Sequence, residues 1–276
     1  MNSKQGPIGI FDSGLGGLTV FHEIRDRLPD YDYLYLGDTA RTPYGTRSFE
    51  TIYRYTQEGV NALLNAGCPL VILACNTASA KALRSIQQKD LIAHHPNERV
   101  LGVIRPSVEV VGATTRTGRI GLFGTTGTVR SDSYKMEFNK LFPEVTLYQE
   151  ACPMWVPLVE NNEVDSPAAE YFIKKHVDNL LLSAPEIDTI ILACTHYPLL
   201  MDKIKKFVPD HISIMDQGPL VADKLDDYLT RHPEIETRCT KGGTSKFLTT
   251  GSVDLFEENA EVFFGKKISA EHIELL

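Results

Sequence analysis

The feature that most constrains this chain is a segment it writes twice. Val71-Ile72-Leu73-Ala74-Cys75-Asn76-Thr77 returns as Ile190-Ile191-Leu192-Ala193-Cys194-Thr195-His196. Each copy is an apolar, β-branched run that ends in Ala-Cys and a polar pair. A short apolar run without alternation predicts a strand buried on both faces, as in parallel sheets. The C-terminal end of such a strand is where open α/β sheets bind ligands. Two matched thiols at two matched strand ends therefore predict one ligand held between them. That arrangement suits a reaction in which one thiolate removes a proton and the other thiol returns one on the opposite face.

The surrounding pattern alternates strands with helices. Residues 7–11 read as a strand, followed by the glycine-rich turn 12–17. Leu18, Phe21, Ile24 and Leu28 then form an apolar helical stripe that Pro29 stops. A strand over 33–36 leads to a loop through Tyr44 and Gly45, and residues 49–66 have helical period, with Gly67 at the C-terminal cap. Strand 71–74 runs through Cys75 into a helix containing Ala78, Ala82 and Leu83. Residues 100–104 read as the last strand of the first half, with Arg105-Pro106 as a crossover. The pattern then restarts: 119–125 parallels 6–13, and 188–195 parallels the first cysteine strand. The interval from Asp12 to Cys75 is 63 residues and from Gly124 to Cys194 is 70, which marks an internal duplication of α/β units. The expected fold class is α/β: two similar doubly wound parallel-sheet domains related by pseudo-symmetry, with the active site in the cleft between them. The expected boundaries are 1–104, joined by the C-terminal segment 215–276, and 105–214.

Composition narrows the function. A net charge of −8 over 276 residues argues against nucleic acid or an anionic membrane as partner, because phosphate recognition wants a basic surface. Lys203, Lys205 and Lys206 read as a solvated helix face. The opening MNSKQGPIGIFDSG lacks the apolar stretch of a secretory signal. No run approaches the roughly 18 apolar residues of a membrane span, and a cytoplasmic location is expected. Five cysteines without a C-x-x-C pair predict neither a disulfide framework nor a structural zinc site. Cys68, Cys152 and Cys239 read as buried apolar thiols; Cys75 and Cys194 stand apart by their matched settings.

The glycine turn 12–17 is not phased as G-x-G-x-x-G and lacks the Lys-Ser/Thr ending of a P-loop, so a nucleotide site has little support. Glycines there would let backbone N–H groups approach an anion at a helix N-terminus, a carboxylate as well as a phosphate. Thr125, Thr126, Thr128 and Ser131 offer similar donors from the second half. His196, two residues beyond Cys194, is the one histidine with a functional setting; His94, His95 and His176 read as surface or packing residues. Trp155 reads as a core or cleft-wall aromatic.

Six pieces taken in order resemble the bacterial glutamate racemases of the aspartate/glutamate racemase family: FDSGLGGL (11–18), DTARTPYG (38–45), ACNTASA (74–80), GTTGTVRSDSY (124–134), PLVE (157–160) and ACTHYPLL (193–200). Ala193 stands where the family commonly has glycine, and 211–218 departs from the family's usual sequence. The resemblance implies a cofactor-independent, metal-free isomerase that interconverts L- and D-glutamate and supplies D-glutamate for peptidoglycan. Cys75 and Cys194 would be the catalytic acid/base pair, Cys75 deprotonating D-glutamate and Cys194 L-glutamate. Asp12, Ser13, Tyr44, Gly45, Asn76, Thr77, Thr195 and His196 would bind the substrate's amino and carboxylate groups. Asp12 and His196 would also assist the adjacent thiols, with Glu160 in support. Family members fold as two α/β domains, return their C-terminal segment to the first, and often form homodimers.

Physical chemistry gives these residue types their use. The α-proton of an amino acid is weakly acidic, so a dry cleft with fixed dipoles must stabilise a carbanion-like transition state. A free thiol has a pKa of about 8.5, and a strand-to-helix junction is expected to lower it through the helix dipole. Three rival functions share parts of the pattern: an aspartate racemase, a lyase or decarboxylase of the same superfamily, and a two-lobed solute-binding protein. Paired cysteines with complete polar neighbours count against the last two.

Overall fold

The computed structural model describes residues 5–275; residues 1–4, with which the stretch MNSKQGPIGIFDSG begins, and residue 276 lie outside it. Among the described residues, ten strands form two sheets. The first has the order β10-β9-β2-β1-β3-β4, built from β1 (Ile8–Asp12), β2 (Tyr33–Gly37), β3 (Leu70–Leu73), β4 (Arg99–Gly102), β9 (Ser245–Thr249) and β10 (Ala270–His272). The second has the order β6-β5-β7-β8, built from β5 (Arg119–Gly124), β6 (Thr146–Ala151), β7 (Thr189–Ala193) and β8 (Ser213–Met215). Every pairing is parallel. Strands β2-β1-β3-β4 correspond in order to β6-β5-β7-β8, so the duplication read in the sequence is a duplication of topology.

The cysteine strands are central in both sheets, which is why they carry no polar face. Leu70 and Ile72 turn to one side of the first sheet and Val71 and Leu73 to the other, all buried. In β7, Ile191 and Ala193 join one cluster while Ile190 and Leu192 join another. The latter cluster is continuous with the core under β1, so apolar packing runs from one sheet to the other. Trp155 lies fully buried in it, against Phe123 and Tyr197.

The helix Gly17–Arg27 ends where Pro29 predicts, and the helix Phe49–Asn65 ends at Gly67, whose φ of +98° only glycine adopts freely. The strand expected over 100–104 is β4, which ends at Gly102, and Ile104 instead opens the helix Ile104–Thr114 that carries Arg105-Pro106 and joins β4 to β5. Arg105 and Pro106 lie in the first turn of that helix, where a proline ring removes no intrahelical hydrogen bond. Ile104, Val108 and Val111 of this helix pack with Ile120, Leu122 and Ile191 of the second sheet. The segment 211–218 forms β8 and the start of the helix Gln217–Arg231, which packs against the helix Gly17–Arg27. Among the described residues, no helix is long and apolar enough to cross a membrane.

Candidate active site

Strand β3 delivers Cys75 to its C-terminal end, where it caps the helix Asn76–Lys81: its sulfur accepts the Ala78 N–H at 3.4 Å. The thiol donates to the Ser13 hydroxyl at 3.3 Å. Strand β7 delivers Cys194 to the equivalent place, but the chain beyond it takes a different course. The next helical turn, Tyr197–Leu200, is 3-10 and is preceded by His196. Cys194 is therefore not a helix cap, and the expected dipole contribution is confined to Cys75. The Cys194 sulfur lies 3.9 Å from His196 Nδ1, and His196 Nε2 lies 3.1 Å from Glu160 Oε1. With Nε2–H donated to the carboxylate, Nδ1 is left as an acceptor facing the thiol.

Both cysteines are 6% exposed. Burial pushes the Cys75 thiol up to about 11, the Asp12 carboxylate adding to the rise and the Ser13 and Ala78 hydrogen bonds opposing it. Burial pushes Cys194 up as well, opposed by a hydrogen bond from the His196 backbone and reinforced by the negative charges of Cys75, Asp12 and Glu160. The expectation of lowered pKa values is thus reversed in the folded chain: desolvation outweighs the dipole, because a thiolate loses its hydration when buried. The effect of Cys75 on Cys194 places the two sulfurs in one region of the fold.

The charge of Asp12 acts on both thiols. The residue is fully buried, Oδ2 accepts the Gly14 N–H at 3.0 Å, and Oδ1 is buried without a partner. Burial raises its pKa, while backbone N–H groups of Gly17, Gly14 and Ser13 and the nearby His196 pull it down. An orphaned buried carboxylate oxygen is an acceptor suited to a cationic donor.

The glycine turn serves close packing. A Cβ on Gly16 would lie 2.4 Å from His196 Nδ1 and Thr195 Oγ1, and one on Gly17 would lie 2.4 Å from the Asp12 Cβ. Gly16 lets the first half approach the second and Gly17 leaves room for the Asp12 side chain, and the Thr19 hydroxyl secures the approach by donating to the Thr195 carbonyl at 2.9 Å.

Other proposed binding residues meet across the cleft rather than facing open space. Thr77 Oγ1 is 2.9 Å from Thr125 Oγ1, and the Gly127 N–H donates to the Gly45 carbonyl at 2.8 Å. The Tyr44 hydroxyl donates to buried Asp38, which also accepts from Arg41 Nε and from the Thr250 hydroxyl. The Asn76 amide is committed to a buried network: Nδ2 donates to Gln217 Oε1 at 2.6 Å and Oδ1 accepts from the Tyr134 hydroxyl at 2.7 Å. Gln217 Nε2 in turn donates to Ser107 at 2.7 Å and to Tyr134. Sequence reading missed Gln217, Ser107, Tyr134 and Asp38 as supports: Asp38 and Tyr134 lie at the ends of the pieces 38–45 and 124–134, while no motif marks Ser107 or Gln217. His176 is a packing residue, bonded to Glu150 at 2.6 Å. Cys68, Cys152 and Cys239 are buried free thiols. Among the described residues, no three His, Cys, Asp or Glu side chains gather as a metal site.

Residues 19–223 match the model of the Asp/Glu/Hydantoin racemase family. The chain is 42% identical over 268 residues to a glutamate racemase of Persephonella marina, covering 97% of each chain. Among solved structures it is similar to a glutamate racemase isoform from Bacillus anthracis, with a TM-score of 0.89 at 35% identity, over 99% of this chain and 98% of that one. It is also similar to the Francisella tularensis glutamate racemase in complex with D-glutamate, with a TM-score of 0.85 at 28% identity, over 100% and 98% of the two chains.

Proposed function

Because the chain belongs to the Asp/Glu/Hydantoin racemase family, among its glutamate racemases, we propose that it interconverts L- and D-glutamate by two-base proton transfer between Cys75 and Cys194. The observation that carries this reading is the pair of buried thiols at equivalent strand ends, each beside its own polar partner, with the charge of buried Asp12, whose Oδ1 is unpartnered, acting on both.

In the proposed sequence Asp12 accepts a hydrogen bond from the substrate ammonium. The cation offsets the desolvation that holds the thiols protonated and so makes one thiolate accessible. With L-glutamate, the Cys194 thiolate takes the α-proton and the bonding pair stays at Cα. The Cys75 thiol then gives its proton to the opposite face, becoming the thiolate, and D-glutamate results. With D-glutamate the two residues exchange roles. His196, fixed by Glu160, receives the Cys194 proton before the transfer; Ser13 and the Ala78 N–H stabilise a thiolate at Cys75. The freed hydroxyls of Thr77 and Thr195 and the backbone around Ser13, Tyr44, Gly45 and Asn76 hold the carboxylates. Proton transfer of this kind employs only groups of the chain itself, with no metal or cofactor.

The domain boundaries in this reading are 1–104 with 215–276, and 105–214, supported by the packing of the helix Ile104–Thr114 on the second sheet and of β9 on β2. A cytoplasmic location, a homodimer and the supply of D-glutamate to peptidoglycan complete it, and these rest on the family resemblance. The test is to incubate purified, dialysed protein with L-glutamate in deuterated water, following optical rotation and the α-proton signal. Loss of both is expected. Turnover of L-aspartate alone would keep the mechanism and overturn the substrate; inertness toward both would overturn the reading.

A further inference from the structure

The thiols are 6% exposed, and two residues beyond Cys75 the halves meet in a seam joined by the Thr77–Thr125 and Gly45–Gly127 contacts, so a substrate reaches the thiols only when the halves part. Directly outside the seam lies a cleft of about 300 Å3, walled by Gly45 and Gly127 themselves and lined by Arg47, Lys81, Arg130 and the hydroxyls of Thr46, Ser48 and Thr126. The cations come from both lips, Arg47 and Lys81 from the first half and Arg130 from the second. No carboxylate lines the cleft. Neighbouring Arg41 and Arg54 are paired with Asp38 and Glu58, whereas Arg47, Lys81 and Arg130 form no ion pair among the described residues. Arg47 is held by its Nε–H to the Arg41 carbonyl at 3.2 Å, and the Lys81 ammonium sits 6.0 Å from the Phe49 ring centroid.

A chain of net charge −8 repels a dicarboxylic amino acid, which carries one net negative charge at neutral pH. A local cluster of unpaired cations at the closure line reverses that field where it matters, since a cleft lined by one sign of charge concentrates its counter-ion. We propose that Arg47, Lys81 and Arg130 form an access vestibule that captures the carboxylates of the incoming amino acid before the seam opens. The inference rests on the function proposed above and adds a second, non-catalytic contact site for the same substrate.

The test compares the full-length wild type with a Lys81→Gln/Arg130→Gln double variant in glutamate racemisation across a salt series. At about 20 mM salt, where screening reaches beyond 10 Å, the double variant is expected to lose about tenfold in kcat/KM through KM with kcat unchanged. At about 0.5 M salt the gap closes. The charge reversal Lys81→Glu is expected to go further in the same direction. Equal kcat/KM at low salt overturns the vestibule, as does a fall in kcat that salt does not remove. Inhibition by inorganic phosphate without a rise in KM for glutamate overturns it too, because the cations would then serve a separate effector. A wild type that does not turn over glutamate breaks the proposed function instead, so the two failures are distinguishable.

Discussion

The surroundings of Cys75 and Cys194 start from one sequence pattern and end as two different chemical supports. Both strands terminate in Ala-Cys and bury the thiol to the same extent. Cys75 then rests on a helix N-terminus and the Ser13 hydroxyl, hydrogen-bond donors and dipoles that favour a thiolate in place. Cys194 instead faces an imidazole tied to a carboxylate, a pair that can take the proton away. A duplicated scaffold thus keeps the position of a reactive group more strictly than the means of activating it. Enantiomers are equally stable in water, so kcat/KM must be the same in the two directions whatever the asymmetry. The difference between the sites can show only in kcat and KM taken separately, and in their pH profiles.

The largest expected effect comes from removing either sulfur. Cys75→Ala and Cys194→Ala should each lower racemisation by at least about 10³-fold, within the range of lost acid–base catalysis. Each variant should still exchange the α-proton of one enantiomer only, L-glutamate for Cys75→Ala and D-glutamate for Cys194→Ala. Exchange of both by either variant would break the assignment of directions.

His196→Asn should cost about 10²-fold in kcat/KM in both directions alike, with the larger kcat loss in the L-to-D direction, where Cys194 is the base. An equal kcat loss in both directions would make the two sites more alike than their geometry suggests. Smaller effects, about tenfold, are expected of the two glycines. Gly16→Ala intrudes on His196 and Thr195, and Gly17→Ala on Asp12; steady-state kinetics should show the Gly16 variant following His196→Asn. Gly16 already has φ of −56° and ψ of −36°, so the alanine backbone is unstrained and the loss reports the side-chain contact.

The smallest effect on activity, but a measurable one on stability, concerns pH. The folded Cys75 thiol is raised from 9.0 to about 11, so between those values the folded chain holds a proton that the unfolded chain releases. Its contribution is complete below pH 9 and is lost as pH rises toward 11, by about 1.4 kcal/mol per unit and about 3 kcal/mol in all. Urea midpoints of Cys75→Ser should therefore fall less steeply over that window than those of the wild type. Identical slopes would mean that the thiol is better solvated than its burial implies.

Much of the fold is legible because buried parallel strands have a plain signature. The runs at 71–74 and 190–193 are apolar on both faces, and a chain of this kind has few ways to satisfy them outside a central strand. Cys75, Cys194, Asp12 and His196 are legible because they sit at the polar ends of such strands or beside them. Gln217, Ser107 and Tyr134 are not: they are far apart in sequence, and their value lies in a hydrogen-bond network that exists only after two halves close. Ile104 misleads because an apolar β-branched residue after 100–103 extends the strand pattern, while in the fold it opens the helix that packs on the second sheet.

The amino-acid sequence alone determined the doubled α/β topology and the place of the two thiols, since strand burial and duplication are written in local runs. Tertiary structure alone decided that Asn76 turns to Gln217 and that glycines 16 and 17 serve close packing. It also decided that burial raises both thiols. Desolvation and contact between distant segments depend on the folded chain's enclosure of each group, and no local pattern of residues encodes that enclosure.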